Sequence, residues 1–217
     1  TIKNIPLIYW AQHSYDQPGC LYLKNSETIK NLSGIIFISQ WQELLFIYNF
    51  KLSNIKTFVI GHGITPDFKN QFLNLEDFKI KKQNTKGIYA STPYRELEIL
   101  YESSFLLKEK IIIDVFSSMK IYSLEDNKKF LILFDKIKQS NKFNYFGSVN
   151  KKILAQYFSF ASFLTYPSIF AETFCITLLD ALASGIEPII TNLGALKETS
   201  LGYGRFINLD NNNFTIN

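Results

Sequence analysis

The sequence predicts an α/β protein, a mostly parallel β-sheet covered by helices on both faces. Three observations predict it. Short apolar runs bounded by turn residues alternate with helical patterns along almost the whole 217-residue chain. From residue 86 onward the helical segments are long enough to serve as crossovers between parallel strands. The composition, 47% hydrophobic and 19% charged, supplies a packed core and argues against disorder.

Taken in order, residues 6–12 read as a strand and 26–32 as a short helix. Residues 34–39 (GIIFIS) form a second strand between turn residues. A helix follows over 40–50, with Trp41, Leu44, Leu45 and Tyr48 on one apolar face. Residues 55–60 are a third strand, and 61–67 a loop containing Gly61, Gly63 and Pro66. Residues 69–86 are rich in Lys, Asn and Gln without a regular apolar period, and read as a boundary. The expected domains are 1–78, the remaining part of an N-terminal segment, and 79–217. In the second, strands are expected at 87–91, 110–116, 143–146, 161–166 and 188–192. Helices are expected at 94–107, 125–139, 151–158, 174–184 and 195–201, and residues 211–213 read as a polar, frayed end.

Charge and special residues exclude several classes. The net charge of +4 arises from 23 basic and 19 acidic residues spread along the chain. Weak basicity suits an anionic small ligand, a phospholipid surface or an ordinary solvated face alike. No Lys/Arg cluster of the kind a nucleic-acid groove needs is present. Cys20 and Cys175 are the only cysteines and lie far apart, so the expectation is a reduced, cytoplasmic protein without structural zinc. His13 and His62 are the only histidines. No run of about 18 apolar residues suggests a membrane span. The first residues, TIKNIPLIYWAQ, lack signal-peptide design and read as the approach to a buried strand, so the natural beginning is expected to be missing.

Ligands of parallel α/β sheets bind at the carboxyl ends of strands, beside helix N-termini. The richest such loop follows the strand at 161–166 and reads YPSIFAETFCITLLDALASGIEPIITNLGALKET. Pro167 and Ser168 end the strand, and Glu172 precedes a helix expected to begin near Phe174. Asp180 lies eight residues further, about 12 Å along a helix. That separation suits a ligand with hydroxyls at both ends and a charged centre, the shape of a sugar diphosphonucleoside. The amides of Phe174, Cys175 and Ile176 would present a helix N-terminus to the pyrophosphate. The competing reading makes Glu172 a helix cap.

This segment resembles the signature of retaining GT-B glycosyltransferases of the family-4 type, also called glycosyl transferases group 1. Glu172 and Asp180 fall at its two acidic positions, flanked by Pro167-Ser168 and by Ala181, Ala183 and Gly185. Thr191 to Ala195 with Glu198 resembles the next strand, turn and helix. Upstream, Tyr89-Ala90-Ser91-Thr92-Pro93-Tyr94-Arg95 with Leu97 resembles the first strand and turn of the family's second domain, and Arg95 matches a basic position on the donor phosphates. Gly147-Ser148-Val149 resembles the loop beside the nucleobase. Trp10-Ala11-Gln12-His13 with Asp16 resembles a strand end whose His lies at the reacting sugar. Ser39-Gln40-Trp41 and Gly61-His62-Gly63-Ile64 resemble the end of the first domain. The sequence departs from the pattern at several positions. Asp180 stands where Glu is usual, Cys175 and Glu96 where Gly is common, and Tyr89 where a second basic contact would fall. Glu187 precedes Pro188, where the family usually has its Pro one position earlier.

The resemblance implies a Rossmann-like fold, the C-terminal half of a GT-B fold preceded by a partial N-terminal α/β segment that lacks most of its domain. It implies transfer of a sugar from a nucleoside diphosphate sugar to an acceptor with retention of configuration. Glu172, His13 and Arg95 would be catalytic; Asp180 would hold the ribose; Phe174, Cys175, Ile176, Ser91 and Val149 would bind the donor. No metal or other cofactor is implied, because helix amides and Arg95 take the place of a cation at the diphosphate. The acceptor, whether glycan, lipid or protein, is not specified, and peripheral membrane contact, self-association or a missing partner domain all remain open. The alternative is a truncated or degenerate sugar-nucleotide-binding module without transferase activity.

Overall fold

A computed structural model describes residues 5–210 and 213–216 of the chain, with side chains described as far as residue 209. Residues 211 and 212 of the expected frayed end lie outside the described residues. The chain divides into two compact units. One comprises Thr1–Gly63, Ala171–Cys175 and Leu193–Gly202, the other Ile64–Phe170, Ile176–Asn192 and Tyr203–Asn217.

The first unit contains strand β1 (Ile8–Trp10), a 3-10 turn at Pro18–Lys24, helix α1 (Ser26–Lys30), β2 (Gly34–Phe37), α2 (Gln40–Phe50) and β3 (Thr57–Val59). The strands pair in parallel in the order β1-β2-β3. Ile35 and Phe37 pack against Phe46 and Phe50 of α2 and against Cys20 and Leu23 of the turn. Helix α2 has the predicted bounds, because the Ser39 hydroxyl caps the Gln42 amide and Lys51 closes the helix in a left-handed conformation. Its buried face differs from the prediction: Gln42, Phe46 and Phe50 face the core, whereas Leu44 and Tyr48 are 66% and 83% exposed. The helix is apolar nearly all round, so its periodicity could not select a face.

The second unit begins with a 3-10 turn at Pro66–Phe68 and helix α3 (Leu75–Lys81). There follow β4 (Lys86–Ala90), α4 (Leu97–Ser104), β5 (Ile112–Phe116), α5 (Lys128–Gln139), β6 (Phe143–Tyr145), α6 (Lys151–Phe160), β7 (Phe163–Tyr166), α7 (Ile176–Ala183) and β8 (Glu187–Thr191). Helix α8 (Leu196–Thr199) groups with the first unit, and β9 (Arg205–Asp210) and β10 (Asn213–Ile216) complete the chain. The sheet order is β10-β9-β8-β7-β4-β5-β6, parallel throughout except for the β9–β10 pair. Helices cover both faces of this sheet, as predicted.

Local chemistry explains the elements. Phe130, Leu133, Phe134 and Ile137 recur at helical spacing on α5 and bury themselves against Ile113, Val115 and Phe143. Asn127 and Asn150 cap α5 and α6 through their side-chain oxygens. Asn74 does the same for α3, a helix within the stretch read as irregular. Seven residues are too few to show an apolar period, and α3 is held by that cap and by packing of its Phe78 under Gly185. Lys82, just beyond α3, donates to the carbonyls of Phe158 and Ala161 at 2.9 and 2.5 Å, closing the end of α6. Strands β9 and β10 were not predicted; β9 is recruited by parallel pairing with β8, and β10 by antiparallel pairing with β9.

Candidate functional site

In the order β6-β5-β4-β7-β8-β9, the chain runs outward from β4 through β5 to β6, then returns to β7 on the other side of β4. The loops after β4 and β7 therefore part company at a topological switch point, where open α/β sheets bind their ligands. Both loops carry predicted residues. Ser91 and Arg95 follow β4; Pro167 and Ser168 follow β7 and lead to Glu172.

Within β4, Tyr89 stands where a second basic residue was missing. It is fully buried, and its hydroxyl lies 2.6 Å from the Thr92 carbonyl oxygen and 3.2 Å from that of Arg95. A phenol thus braces the turn that carries Arg95. Ser91 continues the pairing of β4 with β5 through a 3.2 Å bond from its amide to the Phe116 carbonyl. The Arg95 guanidinium lies 4.1 Å from the centre of the Phe170 ring. Glu96 explains its own departure from the family pattern: its φ of 58° is in the left-handed region that favours glycine.

In the β7 loop, Ser168 is buried; its carbonyl accepts the Thr191 hydroxyl at 2.5 Å, and its hydroxyl accepts the Phe170 amide at 3.1 Å. Residues 171–175 group with the first unit. There the Glu172 carbonyl accepts the Ala195 amide at 2.8 Å, and the Phe174 ring meets His62 edge-on at 5.3 Å. Cys175 has a φ of 126°, which is not helical. Helix α7 accordingly starts at Ile176, two residues later than predicted, and the Phe174 and Cys175 amides lie ahead of it rather than in its first turn. Cys175 stands where glycine is common for this backbone reason.

Asp180, expected at the ribose, is completely buried. One carboxylate oxygen accepts the Thr65 amide at 2.8 Å; the other accepts the Thr65 hydroxyl at 2.9 Å and the Lys151 ammonium at 3.3 Å. The carboxylate is closed to solvent, so a ribose hydroxyl reaches it only if the groups around it move. Val149 is half-buried and sits just before Asn150, the cap of α6.

His13 is exposed, and its main chain is fixed by Gln42. The Gln42 side-chain amide donates to the carbonyls of His13 at 2.8 Å and Ala11 at 3.3 Å, and its oxygen accepts the Ile38 amide at 2.9 Å. The ends of β1 and β2 are thereby tied to α2. Glu198 caps the same helix, accepting the amides of Gln40 at 2.7 Å and Trp41 at 3.0 Å. Sequence reading missed Gln42, Thr65, Lys151 and the function of Tyr89 and Glu96. Gln42, Thr65, Lys151 and Glu96 act on partners 29 or more residues away, and the contacts of Tyr89 depend on how the turn after β4 folds back on it.

Among the described residues no group of three or more His, Cys, Asp or Glu gathers where a metal could be held. No described helix is long and apolar enough to cross a membrane.

The switch-point sheet and its loops define an α/β fold that matches glycosyltransferase structures of the GT-B type. Residues 109–201 match the family described as "Glycosyl transferases group 1". No curated protein matches the sequence significantly. Among solved structures, WaaG, a glycosyltransferase involved in lipopolysaccharide biosynthesis, superposes with a TM-score of 0.63 at 17% identity over 96% of this chain and 62% of its own. A glycosyltransferase from Rickettsia africae gives 0.68 at 19% identity, covering 88% of this chain and 52% of its own. Anabaena HepE in complex with UDP-glucose gives 0.64 at 17% identity, covering 89% and 55%. The chain thus spans 52–62% of the length of these structures.

Proposed function

We propose that the chain transfers a glycosyl group from a nucleoside diphosphate sugar to an acceptor, with retention at the anomeric carbon and without a metal. The observation that carries this reading is the segment 166–199. Its Pro-Ser, Glu172 and small-residue helix keep the register of the family signature inside the matched region, and its loop leaves the sheet at the switch point. The likeness to HepE, solved with UDP-glucose, supports a uridine diphosphate sugar as the first donor to test.

In this reading Glu172 orients the sugar through its hydroxyls, and His13 contacts the sugar near the reacting carbon. Arg95 and the amides at 174–176 stabilise the departing diphosphate, which replaces the charge neutralisation a cation would supply. Ser91 and Val149 line the donor. Asp180 supports the site from behind rather than holding the ribose, because its oxygens are already engaged. The protein acts in the cytoplasm, and its acceptor is a glycan, lipid or protein.

The Glu172→Gln variant tests the reading. A carboxylate that positions the anomeric carbon acts mainly in the transition state, so turnover should fall by about 10²-fold or more while nucleoside diphosphate affinity changes only a few-fold. If only the melting temperature moves, Glu172 is a structural residue. If wild type binds the donor but turns none over, the protein is a sugar-nucleotide-binding module.

A further inference from the structure

We propose that Glu96 is a positioning residue that latches the β7–α7 loop to the β4–α4 loop, an inference that rests on the transferase reading for its functional consequence. Glu96 occupies the N-cap position of α4 with φ 58° and ψ 38°, and its side chain makes no capping bond to that helix. Acidic and hydroxyl side chains at this position ordinarily serve the first turn of their own helix. Its carboxylate instead accepts the amide of Ile169, 73 residues away, at 2.7 Å. That length is typical of a charge-assisted bond.

The neighbouring residue repeats the contact. Arg95 lies against the Phe170 ring at 4.1 Å, so two successive residues after β4 grip two successive residues after β7. From the other side, Thr191 of β8 holds the Ser168 carbonyl. The segment 168–170 is thus fixed from both flanking strands, immediately ahead of Glu172 and the amides at 174–176. A left-handed backbone is unfavourable for any residue with a β-carbon, and glycine would adopt it freely. The side chain that makes Glu96 unfavourable locally is the one that reaches Ile169. Strain of this kind is retained where the surroundings use it. The latch lies at the switch point, where the adjacent strands β4 and β7 send out their loops.

Glu96→Gly and Glu96→Gln separate this role from a merely structural one. Glycine relieves the backbone and removes the carboxylate; glutamine keeps an acceptor oxygen. Amide hydrogen exchange over 167–175, thermal unfolding and turnover of a uridine diphosphate sugar are measured on both. For Glu96→Gly the melting temperature should hold or rise while exchange at 167–170 accelerates about tenfold, as for loss of one charge-assisted bond. kcat should fall by a similar factor, with KM changed less, and Glu96→Gln should recover most of both. Unchanged exchange at 167–170 overturns the latch, as does faster exchange across the whole unit with a lowered melting temperature. Local acceleration with unaltered kcat overturns its role in positioning. Absence of turnover in wild type defeats the transferase reading alone, since the exchange measurement still decides whether Glu96 holds the loop.

Discussion

A β-carbon on Gly194 would stand 2.5 Å from the carbonyl oxygen of Glu172 and 2.6 Å from its amide nitrogen. The turn after β8 is therefore seated directly on the backbone of Glu172, and the Ala195 amide bonds to the same carbonyl. Gly194 also has a φ of 62°. Gly194→Ala combines a left-handed penalty with overpacking against main chain that has no rotamer to yield. It should destabilise the protein by about 2–4 kcal/mol, read from urea unfolding. The alternative to unfolding is displacement of Glu172, so turnover per folded molecule should also fall. Full turnover per folded molecule would separate the Glu172 backbone from the chemistry.

The parallel sheet was legible because its strands are short apolar runs with crossovers between them, and the placement of Glu172 and Arg95 in loops after strands followed from the same pattern. The bounds of α7 were not. Its start depends on the φ of Cys175, and no periodicity encodes a single residue's backbone angle. The face of α2 was misread because apolar residues lie on several sides of the helix; the buried side is the one that carries Gln42, a polar residue whose side-chain amide reaches the Ala11 and His13 carbonyls. The environment of Asp180 was invisible for a related reason. Its partners, Thr65 and Lys151, lie 115 and 29 residues away, and no local signal links them.

Lys82 predicts a pH dependence. Burial disfavours its charged form and lowers its pKa from 10.5 to about 8. Below pH 8 both folded and unfolded states hold the proton, so the burial penalty is fully present. Between about 8 and 10.5 the unfolded state binds more protons, so stability contributed by this residue rises with pH across that window. The neutral amine still donates to the Phe158 and Ala161 carbonyls. The difference in melting temperature between wild type and Lys82→Met should therefore shift in favour of wild type from pH 7.5 to 9.5. A difference independent of pH would show that Lys82 keeps its ordinary titration. Above pH 10 the stability of both proteins should fall together, because burial raises the pKa of Tyr9 and Tyr145, and folding then holds protons that the unfolded chain releases.

Asp180 offers the sharpest contrast between the family pattern and this chain. At a ribose site its carboxylate would be free for hydroxyls, and Asp180→Asn would weaken nucleotide binding without unfolding the protein. Here the carboxylate is completely buried and answers an amide, a hydroxyl and an ammonium, so it organises the turn at Thr65 and the start of α6. An amide at the same place presents one nitrogen where only acceptors fit, and leaves Lys151 without its counter-ion. Asp180→Asn should therefore lower stability by about 1.5–3 kcal/mol, the range for hydrogen bonds to a charged group. Affinity of the folded protein for uridine diphosphate should stay within a few-fold of wild type. Thr65→Val removes the hydroxyl bond alone and should give a smaller loss of the same kind, and the two changes should be less than additive because they share a partner. Calorimetric titration beside thermal unfolding reads both quantities on each variant. A large loss of affinity with an unmoved melting temperature would return Asp180 to the ribose, and would mean that Thr65 and Lys151 give way when the nucleotide arrives.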